Sequence, residues 1–145
     1  MKRSNLLAAF ATLLLAACSA SKSPEMKIGP DDWATTGGDA GKSHHSKLSD
    51  INAENVGTLG LAWQAELGTN RVLEATPIVI GGVMYTSGVA GRAYAFDAAT
   101  GKQLWAFEPE VNMQVNRTVC CDMANRGVAV ARGKVFVAAL DAQLY

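Results

Sequence analysis

Gly82-Val83-Met84-Tyr85 recurs 51 residues later as Gly133-Lys134-Val135-Phe136, and the same ungapped shift lays Gly91-Arg92-Ala93-Tyr94 over Ala142-Gln143-Leu144-Tyr145. The first pair joins a turn glycine to a short apolar run, a pattern typical of antiparallel strands. A repeat of about 40–50 residues is the signature of a four-stranded propeller blade. The repeat therefore predicts an all-β fold made of successive blades.

The residues around the first copy supply the rest of a blade. Apolar runs bounded by glycine, proline or aspartate predict strands at residues 61–66, 75–80, 83–87, 92–96 and 103–107. Trp63 and Trp105 lie 42 residues apart, which suits one blade. Residues 109–118 are then a loop inserted before the second blade, which explains the longer shift of 51. Residues 49–56 predict a capped helical turn.

The second copy stops at Tyr145, whereas the first continues to Trp105. A closed propeller needs about four to eight blades, and residues 31–145 supply only about one and a half. We therefore expect a partial β-propeller, the N-terminal part of a longer protein that is truncated within a blade.

Residues 1–18 have the pattern of a lipoprotein-type signal peptide. A basic start precedes an apolar run from Leu6 to Ala17, which is too short to span a bilayer. Small residues before Cys18 resemble the bacterial lipobox, in which the cysteine is lipidated and becomes the new N-terminus. An ordinary signal peptide with an incidental cysteine is the alternative.

Residues 19–30 are polar and small, and we predict a flexible tether between the lipid and the fold. The expected location is the periplasm, with a lipid anchor in the membrane, and Ser19 favours the outer membrane by analogy with lipoprotein sorting. The 13 basic and 13 acidic residues balance, so charge favours no nucleic-acid partner.

Cys120 and Cys121 are adjacent. If Cys18 carries lipid, they are the two remaining cysteines in an oxidising compartment, where thiols tend to pair. Neighbouring Cα atoms lie about 3.8 Å apart, whereas an ordinary disulfide needs about 4.4–6.8 Å. A bond between them would be strained, as is typical of functional sites. The alternative is two free thiols packed as small apolar groups.

Glu74 and Arg126 are candidate ligand-binding residues. The 51-residue shift lays Asn125 over Glu74 and Arg126 over Ala75, so both candidates open the first strand of successive blades. That strand lines the central channel of a propeller, and an arginine fork there suits a carboxylate ligand. A structural Glu74–Arg126 ion pair across the blade interface is the alternative.

Two motifs resemble a known family. Ala95-Phe96-Asp97-Ala98-Ala99-Thr100-Gly101-Lys102-Gln103-Leu104-Trp105 is similar to the tryptophan-docking repeat of pyrroloquinoline quinone (PQQ) dehydrogenases, A-x-D-x-x-T-G-K-x-x-W. More specific are Cys120-Cys121-Asp122-x-x-Asn125-Arg126-Gly127 and Glu74-Ala75-Thr76-Pro77, which resemble the PQQ alcohol dehydrogenases. The resemblance runs from about Trp33 to Tyr145 and implies an eight-bladed propeller.

The resemblance also implies the activity, which is oxidation of a primary alcohol to an aldehyde by hydride transfer to PQQ. Cys120 and Cys121 would form a disulfide stacked on one face of PQQ, while Glu74 and Arg126 would bond its polar rim. In this family Ca²⁺ acts as a Lewis acid and an aspartate as base. Those groups are expected beyond Tyr145, so no catalytic or metal-binding residue is assigned to these 145 residues.

The implied partners are a small alcohol and a periplasmic electron acceptor such as a cytochrome c. A haem c domain follows in the quinohaemoprotein subgroup, but no C-x-x-C-H occurs here, so that point stays open. The alternative function is a non-enzymatic, lipid-anchored propeller scaffold of the outer-membrane-assembly type. A thiol–disulfide redox protein is a third alternative, although such proteins generally use C-x-x-C.

Overall fold

The computed structural model describes residues 26–145. The predicted signal peptide, the predicted lipidation site Cys18 and residues 19–25 of the predicted tether lie outside the described residues. Nothing between residues 26 and 145 forms a helix with the length and apolarity that crossing a bilayer demands. The described chain is built from short antiparallel strands, turns and 3-10 helices.

The first sheet is a complete four-stranded meander. Its strands pair in chain order, each antiparallel to the next, and Gly81 and Gly82 make the first turn with φ of +58° and +77°. A four-stranded antiparallel sheet of this kind is a propeller blade. The strands are β1 (Ile78–Ile80), β2 (Val83–Ser87), β3 (Ala93–Asp97) and β4 (Gln103–Phe107).

The second sheet repeats the first, and this confirms the predicted register. Its strands are β5 (Ala129–Ala131) and β6 (Lys134–Phe136), followed by a bridge between Ala138 and Leu144. Ile80 pairs with Val83 in the first sheet, and Ala131 pairs with Lys134 in the second. Ser87 pairs with Ala93, as Ala138 does with Leu144. Every partner is displaced by the 51 residues read from the sequence.

The core lies between the two sheets. Apolar side chains from β1 and β3 pack against residues that flank β5 and β6, so each sheet covers the other's apolar face. A two-stranded sheet is marginal alone, and this contact is what stabilises the second repeat. The buried members are Ile78, Ile80, Ala93, Val128 and Val137.

The strand predicted at residues 61–66 is wrong, because these residues form no strand in the structure. Instead, this segment is attached to the first sheet through the side chain of Trp63. The Nε1 of Trp63 donates a hydrogen bond to the Ala98 carbonyl oxygen over 3.0 Å, and the indole ring stacks on Phe96 at 6.2 Å. The β3–β4 turn beneath it is held by Asp97, whose carboxylate accepts two hydrogen bonds from Thr100. These bonds lower the pKa of Asp97.

We expect Gly101→Ala to destabilise the fold through this tryptophan contact. Gly101 has φ of +72°, and an added Cβ would lie 2.5 Å from Cδ2 of Trp63. Left-handed backbone and overpacking together should lower the free energy of unfolding by roughly 2–4 kcal/mol. Gly60→Ala is the matched control, because nothing lies within 4 Å of its added Cβ. Equal urea-unfolding midpoints for the two variants of the complete protein would contradict the docking of Trp63.

Two further loops differ in detail from the sequence expectation. The helical turn predicted at residues 49–56 is a 3-10 helix at Val56–Thr58, because Asn52 Oδ1 first accepts hydrogen bonds from the backbone of residues 54 and 55. The inserted loop at residues 109–118 lies outside both sheets, as predicted, and contains the 3-10 helix Met113–Arg117.

Candidate cofactor site

The cysteine loop, residues 120–127, lies between the two sheets and leads into β5. The backbone N–H of Ala90, in the β2–β3 connection, donates a hydrogen bond to the Met123 carbonyl oxygen over 2.9 Å. The Met123 side chain is buried. The middle of the loop is therefore attached to the first sheet.

Asn125 joins the loop to both sheets. Its Oδ1 accepts hydrogen bonds from the hydroxyl of Ser87 at 2.7 Å and from the backbone N–H of Gly127 at 3.1 Å. Its Nδ2 donates to the carbonyl oxygen of Ala138, beside β6, at 2.7 Å. One amide side chain thus holds β2, the β6 end and the loop in a single arrangement.

Gly127 lets the loop approach the segment that precedes β1, here called the β1 leader (residues 69–77). Its φ is +133°, and a Cβ there would lie 3.3 Å from the carbonyl oxygen of Thr76. A larger residue would hold the two chain segments apart. Their close approach brings Arg126 within reach of Glu74.

The structure brings Glu74 and Arg126 into contact. Arg126 Nε donates to Glu74 Oε2 at 3.2 Å, while the two side chains stay 77% (Arg126) and 36% (Glu74) exposed. Within residues 26–145, Nη1 and Nη2 of Arg126 make no hydrogen bond, so the outer edge of the guanidinium is free. The ion pair weighed as the structural alternative is present, and it leaves the arginine able to bind an anion.

Cys120 and Cys121 are exposed free thiols whose Sγ atoms lie 2.6 Å apart. A disulfide bond would measure about 2.05 Å, so the structure records the two sulfurs side by side without the predicted bond. The disulfide stays a prediction. The hydrogen bond with Cys120, and the charge of that neighbour, raise the pKa of the Cys121 thiol. The charge of Arg126 opposes this rise, and the charge of Glu74 adds to it.

A second ion pair, which sequence reasoning missed, lies beside the cysteines. Arg71 Nη1 donates to Asp122 Oδ1 at 2.5 Å, with the side chains 47% and 32% exposed. This contact lowers the pKa of Asp122. The signal was available, because the 51-residue shift lays Asp122 directly over Arg71.

The cysteine–arginine site is an open surface in the described chain. A cavity of about 280 Å³ lies among N-terminal residues such as Trp33 and His45, and one of about 120 Å³ lies between the sheets beside Trp105. Neither includes the cysteine loop. Across residues 26–145, no three His, Cys, Asp or Glu side chains come together in a way that could hold a metal ion.

These features define a class of protein. It is a β-propeller in which the segments that lead into the first strands of successive blades together form one polar site. The profile of the PQQ family described as glucose/ethanol/alcohol dehydrogenase, beta-propeller domain, matches residues 33–145. The chain belongs to this family of PQQ β-propeller domains.

Individual relatives agree with the family. The 1-butanol dehydrogenase (cytochrome c) of Thauera butanivorans is 44% identical over 113 residues, which are 78% of this chain and 16% of that protein. The structure of quinohemoprotein alcohol dehydrogenase ADHIIG from Pseudomonas putida HK5 superposes with a TM-score of 0.77 at 45% identity, covering 79% of this chain and 17% of that one. A europium-containing methanol dehydrogenase gives 0.71 at 32% identity, covering 79% and 20%.

The chain thus spans about a sixth of the length of the curated relatives that it matches, 16% in the case of the butanol dehydrogenase. The matched part contains the two sheets, the cysteine loop and the β1 leader.

Proposed function

We propose that this chain is the N-terminal part of a PQQ-dependent alcohol dehydrogenase that oxidises a primary alcohol to an aldehyde. The observation that carries the proposal is that the cysteine loop, which carries Cys120, Cys121 and Arg126, is joined to the β1 leader of the preceding blade by the Arg126–Glu74 ion pair. The names of the matched alcohol dehydrogenases support it.

The residues fit a flat, polyanionic cofactor. The exposed guanidinium edge of Arg126 can bind a carboxylate in two parallel hydrogen bonds. Glu74 accepts from Nε alone, and it thereby orients the guanidinium without occupying that edge. The adjacent sulfurs of Cys120 and Cys121, joined by the predicted disulfide, offer a stiff platform for a planar ring. When bound there, PQQ would supply a two-electron acceptor for the hydride of the alcohol.

The remaining assignments belong to the same proposal. We expect Ca²⁺ as the Lewis acid, with its ligands and the catalytic base beyond Tyr145, and the europium in one matched relative makes a lanthanide the alternative metal. The names of two relatives, the 1-butanol dehydrogenase (cytochrome c) and the quinohemoprotein alcohol dehydrogenase, support a cytochrome c acceptor and a haem-bearing domain. The proposed location is the periplasm, with Cys18 as the lipid anchor to the outer membrane.

The test is reconstitution of the complete protein that contains this chain. We expect PQQ with Ca²⁺ to give quinone absorbance and dye-linked oxidation of a primary alcohol, with aldehyde as product and no turnover when PQQ is omitted. A parallel reconstitution with Eu³⁺ decides the metal. No turnover and no quinone absorbance with either metal would overturn the proposal and leave the scaffold alternative, which none of the matched relatives named above supports.

A further inference from the structure

Two ion pairs join the β1 leader to the cysteine loop, and the leader supplies the basic residue of one pair and the acidic residue of the other. The leader carries Arg71 and Glu74, and the loop carries Asp122 and Arg126. Arg71 pairs with Asp122, and Glu74 pairs with Arg126. We call this arrangement the charge clasp.

The clasp favours one alignment of the two segments. If the loop shifted so that Arg71 faced Arg126, like charges would meet, and Glu74 and Asp122 would likewise repel. Each exposed ion pair contributes little to stability, yet the two opposed pairs together favour one alignment, because the shifted alignment would replace both attractions by repulsions. The clasp therefore acts on the placement of the loop more than on the stability of the fold.

Asp122 is also placed to fix the cysteines. It follows Cys121 directly and has φ of +57°, a left-handed conformation that aspartate adopts more readily than most other residues except glycine. Its carboxylate is held by Arg71, and four residues later Arg126 is held by Glu74. Both ends of the segment after the cysteine pair are thus attached to the first blade.

We propose that Arg71 and Asp122 are positioning residues, whose ion pair sets the loop in the alignment that presents Cys120, Cys121 and Arg126 to the cofactor. The part of this inference that concerns PQQ rests on the proposed function. The part that concerns the loop does not, and the two are measured separately.

The experiment uses charge reversal in the complete protein. Arg71→Asp and Asp122→Arg are made singly and together. The control is Glu108→Arg, which reverses one partner of the Arg92–Glu108 pair beside the first sheet. The first quantity measured is the Kd for PQQ, by absorbance titration. The second is the rate at which Cys120 and Cys121 react when no PQQ is present. That rate is followed by mass spectrometry, with dithiothreitol for a disulfide or iodoacetamide for thiols.

Each single reversal should raise the Kd about tenfold and speed the cysteine reaction about fivefold, because a like-charge contact displaces the loop. The swapped double variant should return both values to within about twofold of the wild type, and Glu108→Arg should leave them unchanged. Single variants that match the wild type in both quantities would overturn the inference, as would a folded double variant as impaired as the singles.

Neutral variants keep the test decisive if a reversed variant does not fold. Arg71→Met and Asp122→Asn should each change both quantities in the same direction, and the double variant should be no worse than either single one. Additive losses would overturn the inference. If the wild-type protein binds no PQQ, the proposed function fails, while the cysteine reaction rates still decide whether the clasp holds the loop.

Discussion

Replacing Arg126 by Met in the complete enzyme is expected to raise the Kd for PQQ by about 100-fold. A charge-assisted hydrogen bond contributes about 1.5–3 kcal/mol, and the outer edge of this guanidinium has no hydrogen-bond partner among residues 26–145. The variant also leaves the Glu74 carboxylate without its partner, next to an anionic ligand. The measurement is equilibrium titration of the metal-loaded apoenzyme with PQQ.

The same variant separates a ligand-binding role from a purely structural one. An exposed ion pair contributes about 0–1 kcal/mol, so Arg126→Met should lower the free energy of unfolding by no more than about 1 kcal/mol. Arg117→Met, at the end of the 3-10 helix Met113–Arg117, is the matched control and should leave the Kd unchanged. An unchanged Kd for Arg126→Met, together with reduced stability, would assign Arg126 to the blade interface alone.

Asn125→Ala is expected to lower the free energy of unfolding by roughly 2–4 kcal/mol, through the loss of three hydrogen bonds. Part of the cost arises at Ser87, whose side chain is 1% exposed and loses the acceptor of its hydroxyl. Because Asn125 holds the loop between the sheets, residues 120–127 should also exchange their amide hydrogens faster. Urea unfolding and hydrogen exchange of the complete protein measure the two effects.

Asn116→Ala is the matched control for Asn125. It removes the same chemical group from the same inter-blade connection, but its buried Oδ1 has no hydrogen-bond partner in the described part of the chain. Losing an unpaired buried acceptor is neutral or stabilising. Asn125→Asp should be intermediate, since a carboxylate still accepts from Ser87 but cannot donate to Ala138. Equal losses for Asn116→Ala and Asn125→Ala would contradict the role given to Asn125.

The repeat, and with it the fold, follows from the sequence alone. Residues that are 51 apart occupy equivalent positions in successive sheets. Because Ile80 pairs with Val83 in the first sheet, the shift predicts that Ala131 pairs with Lys134 in the second. The same shift places Arg126 one residue beyond the position equivalent to Glu74, which is why both residues are expected at one site, and the structure shows them in contact.

The partners of individual side chains were decided by the tertiary structure. Trp63 lies in an alternating segment that reads as a strand, yet its place depends on the turn at Gly101, 38 residues away. Asn125 reaches two sheets only because the loop passes between the blades. A period in the sequence specifies which strands are equivalent, whereas a hydrogen bond or ion pair depends on the distance between two atoms, which exists only once the blades have packed.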